Sequence, residues 1–217
     1  METIKINEIF YSIQGESSYA GYPTVFIRTS GCHLRCTYCD TTYAYNDGEH
    51  MSIEDIIKKV NSYNPAYVCV TGGEPLLQKN IYVLLNKLCD LNLNVSLETC
   101  GDIDCKNVDS RVKKIIDVKT PDSGEADKFS FENLPEKSNA SVKTEYKFVI
   151  CSKEDFTWAE EFCVKYDLFR SNTVLYSPSF EKINEKWLAE KIISKNSKAR
   201  LQLQLHKYIW NPHVTGV

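Results

Sequence analysis

The chain has 217 residues, a formal net charge of -3 and nine cysteines. That length supplies one core of ordinary size, so a single domain over 1–217 is expected. The slightly acidic balance excludes a broad basic face for nucleic acid, and no run of 18 apolar residues is present to span a membrane. The opening METIKINEIF lacks the apolar core of a signal peptide. A cytoplasmic protein is therefore expected, whose thiols bind metal, do chemistry or stay free rather than pair as disulfides.

In chain order, short β-branched or aromatic runs predict strands at 24–29, 67–71, 95–99, 115–119, 146–150, 173–177 and 200–205. Ser52 is an N-cap candidate, and Ile53, Ile56, Ile57 and Val60 follow it at helical spacing. Ile81, Leu84, Leu85 and Leu88 repeat that spacing, and later helices are expected over 157–166 and 184–193. Strands alternating with helices imply an α/β fold with parallel pairing through right-handed crossovers. A closed eight-unit barrel takes about 250 residues, so a partial (β/α) barrel of about six units is the first expectation and a doubly wound sheet the second. The long polar segment 120–143 reads as an insertion or mobile surface loop.

The unusual residues all follow strands. Cys32, Cys36 and Cys39 come after the run at 24–29, and Gly72-Gly73-Glu74-Pro75 after 67–71. Glu98-Thr99-Cys100-Gly101 ends the third run, Asp117-Val118-Lys119-Thr120 the fourth, and Leu205 to Trp210 the last. Parallel barrels and sheets bind ligands beyond the carboxyl ends of their strands. These segments therefore mark an active-site edge.

Cys-x3-Cys-x2-Cys offers three ligands where structural zinc takes four, and neither a second Cys pair nor a His pair is present to complete the set. His33, His50 or a distant Cys would have to serve. An iron–sulfur cluster held by four cysteines fails by the same count. A four-iron cluster with one open iron remains, and an open position is what catalysis needs. Gly72 and Gly73 allow backbone to approach a ligand with no Cβ in the way.

Cys32-x3-Cys36-x-Tyr38-Cys39, followed by Gly72-Gly73-Glu74-Pro75, resembles the signature of the radical S-adenosylmethionine (SAM) enzymes. The resemblance implies that the amino and carboxylate groups of SAM chelate the fourth iron, and that the reduced cluster cleaves the sulfonium to release a 5'-deoxyadenosyl radical. YSIQGESSYAGYPTVFIRTSGC (11–32), CDTTYA (39–44), TGGEPLLQ (71–78), LETCG (97–101), DVKTPDSGE (117–125) and the LQLQLHKYIW tail together resemble the 7-carboxy-7-deazaguanine synthase family over nearly the whole chain.

That second resemblance implies a trimmed barrel, a homodimer, and an electron donor such as flavodoxin or ferredoxin. The activity implied is a magnesium-dependent lyase reaction. It converts 6-carboxy-5,6,7,8-tetrahydropterin to 7-carboxy-7-deazaguanine with loss of ammonia, on the way to queuosine, a tRNA modification. The implied 4Fe-4S ligands are Cys32, Cys36 and Cys39. SAM is expected along Tyr38, Cys39 and Asp40, at Gly72, Gly73 and Glu74, and at Glu98, Asp117, Val118, Lys119 and Ser177; relatives often carry Ser-Pro-Lys where residues 117–119 stand. Substrate is expected at Ile13, Gln14, Gly15 and Glu16, and at Arg28, Thr71, His206 and the terminal carboxylate of Val217. Thr41 is the implied Mg²⁺ ligand.

The residue types suit such a substrate. A guanidinium fork such as that of Arg28 matches a carboxylate, and Gln14 and Glu16 can read ring N–H and carbonyl groups. Tyr208, Ile209 and Trp210 are apolar enough to be expected to anchor the tail across the rim. Cys69, Cys89, Cys151 and Cys163 read as core thiols. Cys100 and Cys105 are either inert or the start of an auxiliary cluster. Two alternatives stay open: an activase that installs a glycyl radical on a partner protein, and a zinc-stabilised binding module.

Overall fold

The computed structural model describes residues 2–135, 144–170, 172–211 and 214–216. One mixed sheet organises them. Its strands are β1 (Thr3–Ile13), β2 (Pro23–Thr29), β3 (Glu49–Ser52), β4 (Tyr67–Gly72), β5 (Asn94–Thr99), β6 (Lys113–Asp117), β7 (Thr144–Ile150), β8 (Thr173–Pro178) and β9 (Arg200–Leu201). The order is β3-β1-β2-β4-β5-β6-β7-β8-β9. β1 runs antiparallel to β2 and β3, and the six pairings from β2 to β9 are all parallel. Among the described residues the two edge strands, β3 and β9, do not pair with each other, which makes this the expected open, partial barrel.

Helices α1 (Ile53–Ser62), α2 (Ile81–Asp90), α3 (Lys153–Lys165) and α4 (Glu185–Ser194) make four of the parallel crossovers. In α1 the Ser52 Oγ accepts from the Asp55 N–H at 3.1 Å, and Ile53, Ile56 and Val60 are buried. Ile81, Leu84, Leu85 and Leu88 of α2 are fully buried too, each contributing about 1.5–3 kcal/mol of apolar burial. On the opposite face of the sheet, period-two alternation sends Phe26 and Arg28 of β2, Ile115 and Asp117 of β6, and Lys147 and Val149 of β7 into the barrel mouth.

Four expectations need correction. β1, eleven residues long, was not anticipated; a bulge between Ile6 and Glu8 shifts its register, and its pattern mixes charged and apolar residues on each face. The run 200–205 is a strand only over Arg200–Leu201. Beyond it the Gln202 N–H bonds to the Tyr176 carbonyl at 2.9 Å and the Leu205 N–H to that of Gly15 at 3.1 Å, which turns the chain toward the barrel mouth. α3 starts at Lys153 rather than 157, because Ser152 caps a polar first turn that carries no apolar period.

The fourth correction is the supposed loop over 120–143. Through residue 135 it is packed, in three 3-10 turns. Phe129 is buried, and the Asn133 side chain donates to the carbonyls of Gly101 and Ile103, both at 2.9 Å, while accepting from the Cys105 N–H at 2.9 Å. Short polar residues here satisfy backbone groups that a helix would have satisfied internally. Residues 136–143 lie outside the described residues.

Candidate active site

A cavity of about 690 Å³ opens at the carboxyl ends of the parallel strands. One wall is the loop after β2. Cys32, Cys36 and Cys39 are free, half-buried and all line the cavity. The loop is pinned by backbone bonds from Gly31 N–H to Ala44 (2.9 Å), Glu74 N–H to Gly31 (2.8 Å) and Thr37 N–H to Ser123 (3.0 Å). The Arg35 guanidinium donates to the Cys32 carbonyl at 2.8 Å and lies 4.3 Å from the Tyr45 ring. Burial pushes the Cys32 and Cys36 thiols up, so binding of a metal cluster is what would deprotonate them. Three thiols outside any disulfide that line one cavity, with no fourth cysteine in the loop, suit an open-site cluster.

The glycines have a use visible in the fold. A Cβ on Gly73 would overlap the Gly31 carbonyl, and one on Gly72, at φ +140, would overlap the Thr29 backbone. They let the end of β4 close against the cysteine loop.

Two residues expected at the cofactor, Glu74 and Val118, are not among those that line the cavity. The Glu74 side chain is fully buried off the cavity wall; it accepts from the N–H groups of Leu76 (2.9 Å) and Cys100 (2.7 Å) and from the Thr99 hydroxyl (2.9 Å). Its carboxylate ties β4 to β5. Val118, one residue past the end of β6, is fully buried in the hydrophobic core and does not line the cavity, whereas its neighbours Asp117 and Lys119 do.

The floor comes from the hairpin loop that follows β1. Ile13, Gln14, Gly15 and Glu16 line the cavity, and Gln14 and Glu16 are buried. Glu16 pairs with the Lys147 ammonium at 2.7 Å and accepts from the Gln204 amide at 2.8 Å. Burial would raise the Glu16 pKa, but Lys147 and these bonds hold it below the usual value. Gly15 passes so close to His206 that a Cβ would strike the imidazole. Burial also lowers the His206 pKa, which favours the neutral ring.

Arg28 lies between the Phe10 and Tyr43 rings, 5.8 Å from each, and donates through Nε to Glu8 at 2.7 Å. The Tyr43 hydroxyl donates to the same Glu8 oxygen at 3.1 Å. Thr71 donates to Glu98 at 3.1 Å, and burial beside Glu16 pushes the Glu98 carboxyl up. This places Glu98 in the Arg28–Glu16 group.

On the cysteine side, Asp117 pairs with Lys119 at 3.0 Å and lies 3.8 Å from Lys147. The Lys119 ammonium sits 5.5 Å from the Tyr38 ring. Thr41 donates to Asp40 at 3.1 Å, and Lys207 binds Asp40 at 3.0 Å. The Asp40 side chain is half-exposed, and although the groups crowded around its carboxylate partly desolvate it, Lys207 holds its pKa down at about 2. Ser177 also lines the cavity. Among the described residues, three buried polar atoms of the cavity lining have no partner: Gln14 Nε2, Asp117 Oδ1 and the Tyr38 hydroxyl. Such atoms are costly unless a ligand or water meets them.

The tail partly meets its expectation. Val214, Thr215 and Gly216 line the cavity, while Val217 lies outside the described residues. Tyr208 and Ile209 are not apolar anchors; they are 56% and 54% exposed. Polar ties hold the tail instead, from Lys207 to Asp40 and from the Tyr208 hydroxyl to Glu185 at 2.8 Å. Cys100 donates to Glu74 and Asp102, and Cys105 is a core thiol outside that group. Glu8, Tyr43, Lys147, Gln204 and Lys207 were missed in the sequence. For Lys147 a signal existed: a lysine inside the apolar run YKFVI of a parallel strand is too costly to bury without a partner.

Residues 26–123 match the family model of the radical SAM superfamily. A 7-carboxy-7-deazaguanine synthase of Chlorobaculum tepidum is 42% identical over 99% of this chain and 97% of its own. One of Koribacter versatilis is 38% identical over 99% and 100%. Among solved structures, that of QueE from Escherichia coli superposes with a TM-score of 0.77 at 20% identity, over 94% of this chain and 95% of that one, a likeness of fold. The chain belongs to the 7-carboxy-7-deazaguanine synthase family of radical SAM enzymes.

Proposed function

We propose that this protein converts 6-carboxy-5,6,7,8-tetrahydropterin to 7-carboxy-7-deazaguanine, releasing ammonia, with a 4Fe-4S cluster, SAM and Mg²⁺. The observation that carries the reading is one cavity with three free thiols on one wall and an ion-paired, hydrogen-bonding floor opposite. Cys32, Cys36 and Cys39 would hold the cluster, and Tyr38, Gly72, Gly73, Asp117, Lys119 and Ser177 the SAM. When bound, that pair supplies a carbon radical able to take a hydrogen atom from substrate C6.

The chain's own share is position and charge. Arg28, aimed by Glu8 and kept cationic, is the partner for the substrate carboxylate. Glu16 and Gln14 meet the amino and ring N–H edge, and neutral His206 adds a hydrogen bond. Closing these groups around the ring excludes water and fixes C6 against the cysteine wall. Asp40 and Thr41 present hard oxygen donors at the cavity edge, the type Mg²⁺ takes. No helix of the described residues is long and apolar enough to cross a membrane. A homodimer served by flavodoxin or ferredoxin in the cytoplasm completes the reading.

Anaerobic incubation with the tetrahydropterin, SAM and a reductant, with products weighed by mass spectrometry, tests it. Deuterium placed at C6 is expected to appear in SAM; complete retention in the product rejects the abstraction site. Omitting Mg²⁺ should lower turnover, and Thr41→Ala should blunt the response to added Mg²⁺.

A further inference from the structure

The cavity holds a row of buried charges that the expected contacts leave unexplained. Its centre is Lys147 of β7, whose ammonium lies 2.7 Å from Glu16 on the floor and 3.8 Å from Asp117 on β6. The lysine side chain is only 12% exposed, so it is not a solvated surface charge. Asp117 in turn holds Lys119, which stands over Tyr38 of the cysteine loop. Unpartnered atoms lie beside both carboxylates: Gln14 Nε2, whose own oxygen accepts from the Glu16 N–H at 3.1 Å, and Asp117 Oδ1. The row therefore has ligand-seeking atoms on its floor side and on its cysteine side.

We propose that Lys147 is a positioning residue that fixes the Glu16 carboxylate, as an anion in one orientation, to select substrates with an amino and ring N–H donor edge. The inference rests on the substrate class proposed above. An ionised carboxylate has about four acceptor positions. Lys147 takes one on one oxygen and Gln204 one on the other, which leaves an acceptor position on each for a pair of ligand donors. A carboxylate buried without its cation takes up a proton and then presents a donor where an acceptor is required.

Charged and titratable groups surround Glu16 from every element packed on it. Arg28 stands on β2, Glu98 on β5, Asp117 on β6, Lys147 on β7, and His206 and Lys207 on the tail with Asp40 beside them. Burial pushes the Glu16 pKa up. Lys147 heads the groups that pull it down. Removing the lysine moves Glu16 upward, so the variant's substrate affinity falls as pH is lowered through the new value. The wild type stays flat over that window.

One layer deeper, the same strand carries a control. Glu145 pairs with Lys113 at 2.9 Å and accepts from the Ser18 N–H at 3.0 Å, and neither Glu145 nor Lys113 lines the cavity. Lys113→Met breaks a buried pair without removing any side chain that lines the cavity.

The test measures substrate affinity of the reconstituted enzyme with SAM bound but without reductant, between pH 6 and 9, alongside turnover. Its probes are 6-carboxytetrahydropterin and the analogue with oxygen in place of the 2-amino group. Lys147→Met should bind the pterin about 100-fold more weakly, as loss of one partner of a buried pair implies. Discrimination against the oxo analogue should shrink toward none, and affinity should become dependent on pH. Lys113→Met should keep both affinity and discrimination. Where Lys147→Met fails to fold, the K147M/E16Q double variant leaves no buried charge unpaired; it should bind the pterin as Glu16→Gln alone does, because the lysine acts through Glu16.

Wild-type turnover of the pterin with Lys147→Met unchanged in affinity, pH profile and discrimination overturns the lysine's role alone. A double variant far weaker than Glu16→Gln does the same. Wild-type protein that cleaves SAM yet leaves the pterin unchanged overturns the substrate class, and this inference with it.

Discussion

The two sides of the cavity are built differently. The cysteine wall is a single loop whose three thiols lie within eight residues, held in place by backbone hydrogen bonds to neighbouring turns. The floor is assembled from side chains far apart in the chain. Glu16 meets Lys147 131 residues on and Gln204 188 residues on, and Arg28 meets Glu8 across β1 and β2. In the function proposed above, the wall would carry the chemistry common to the superfamily, which needs a fixed spacing of soft ligands. The floor would carry selectivity, which needs charges whose burial is compensated by partners. A change on the wall should therefore end chemistry outright, whereas a change on the floor should grade affinity.

The wall gives the largest effects. Replacing Cys32, Cys36 or Cys39 by Ala should abolish SAM cleavage, since each removes a cluster ligand, while thermal unfolding stays cooperative because none of the three is in the hydrophobic core. A single variant with full iron content and near-normal turnover would break the contrast. Gly73→Ala comes next. Its methyl group would overlap the Gly31 carbonyl and meet Cys32 Cβ at 3.0 Å, so the loop must shift. A displacement of about 1 Å at reacting groups costs on the order of 100-fold, and SAM cleavage should fall by that much. Unchanged cleavage would mean that the loop tolerates movement and that the glycine pair is only a turn.

On the floor, Glu8→Gln sharpens the comparison. Glu8 does not belong to the cysteine wall; it aims Arg28 and anchors Tyr43 through one oxygen. The amide keeps an acceptor but loses the charge, so Arg28 stays cationic with a looser orientation. KM for the pterin should rise by roughly 10-fold with kcat little altered, the pattern of an interaction made equally in ground and transition states. An equal fall in kcat and kcat/KM would instead place Arg28 at the transition state.

The same contrast explains what could be read from residues alone. Cys32, Cys36, Cys39, Gly72 and Gly73 stand out in the sequence because their spacing is local, and the structure brings all five to one cavity; five of the parallel strands were legible because their runs are short and rich in β-branched and aromatic residues. Lys147 and Glu8 were not, because their meaning lies in partners that only the sheet register brings together. Glu74 misled for the converse reason. Its motif neighbours line the cavity, but its own carboxylate accepts from the Leu76 N–H in the turn after β4 and from the Cys100 N–H just past β5. The polar stretch at 120–135 misled because Asn133 and its neighbours look like loop residues while doing the bonding of a packed turn.

The smallest effect is expected where the floor meets the chain's tail. Val214, Thr215 and Gly216 line the cavity, yet Val214 is 51% exposed and the helix α5 (His206–Ile209) before them leaves Tyr208 and Ile209 facing solvent. The segment is tethered through Lys207 to Asp40, with no apolar anchor from Tyr208 or Ile209. A tether of that kind on a half-exposed carboxylate contributes about 1 kcal/mol at most, so the tail contributes a closing surface over the cavity and few strong bonds. Removing residues 214–217 should raise KM for the pterin by about 3- to 10-fold, equivalent to roughly 0.7–1.4 kcal/mol, and leave the iron content of the reconstituted protein unchanged. Raising salt should weaken the Lys207–Asp40 tie and move the intact enzyme part of the way toward the truncated one. Truncated and intact proteins with the same KM at every salt concentration would show that the tail does not close the cavity, and that Gln14, Glu16, Arg28 and Lys147 alone make the floor.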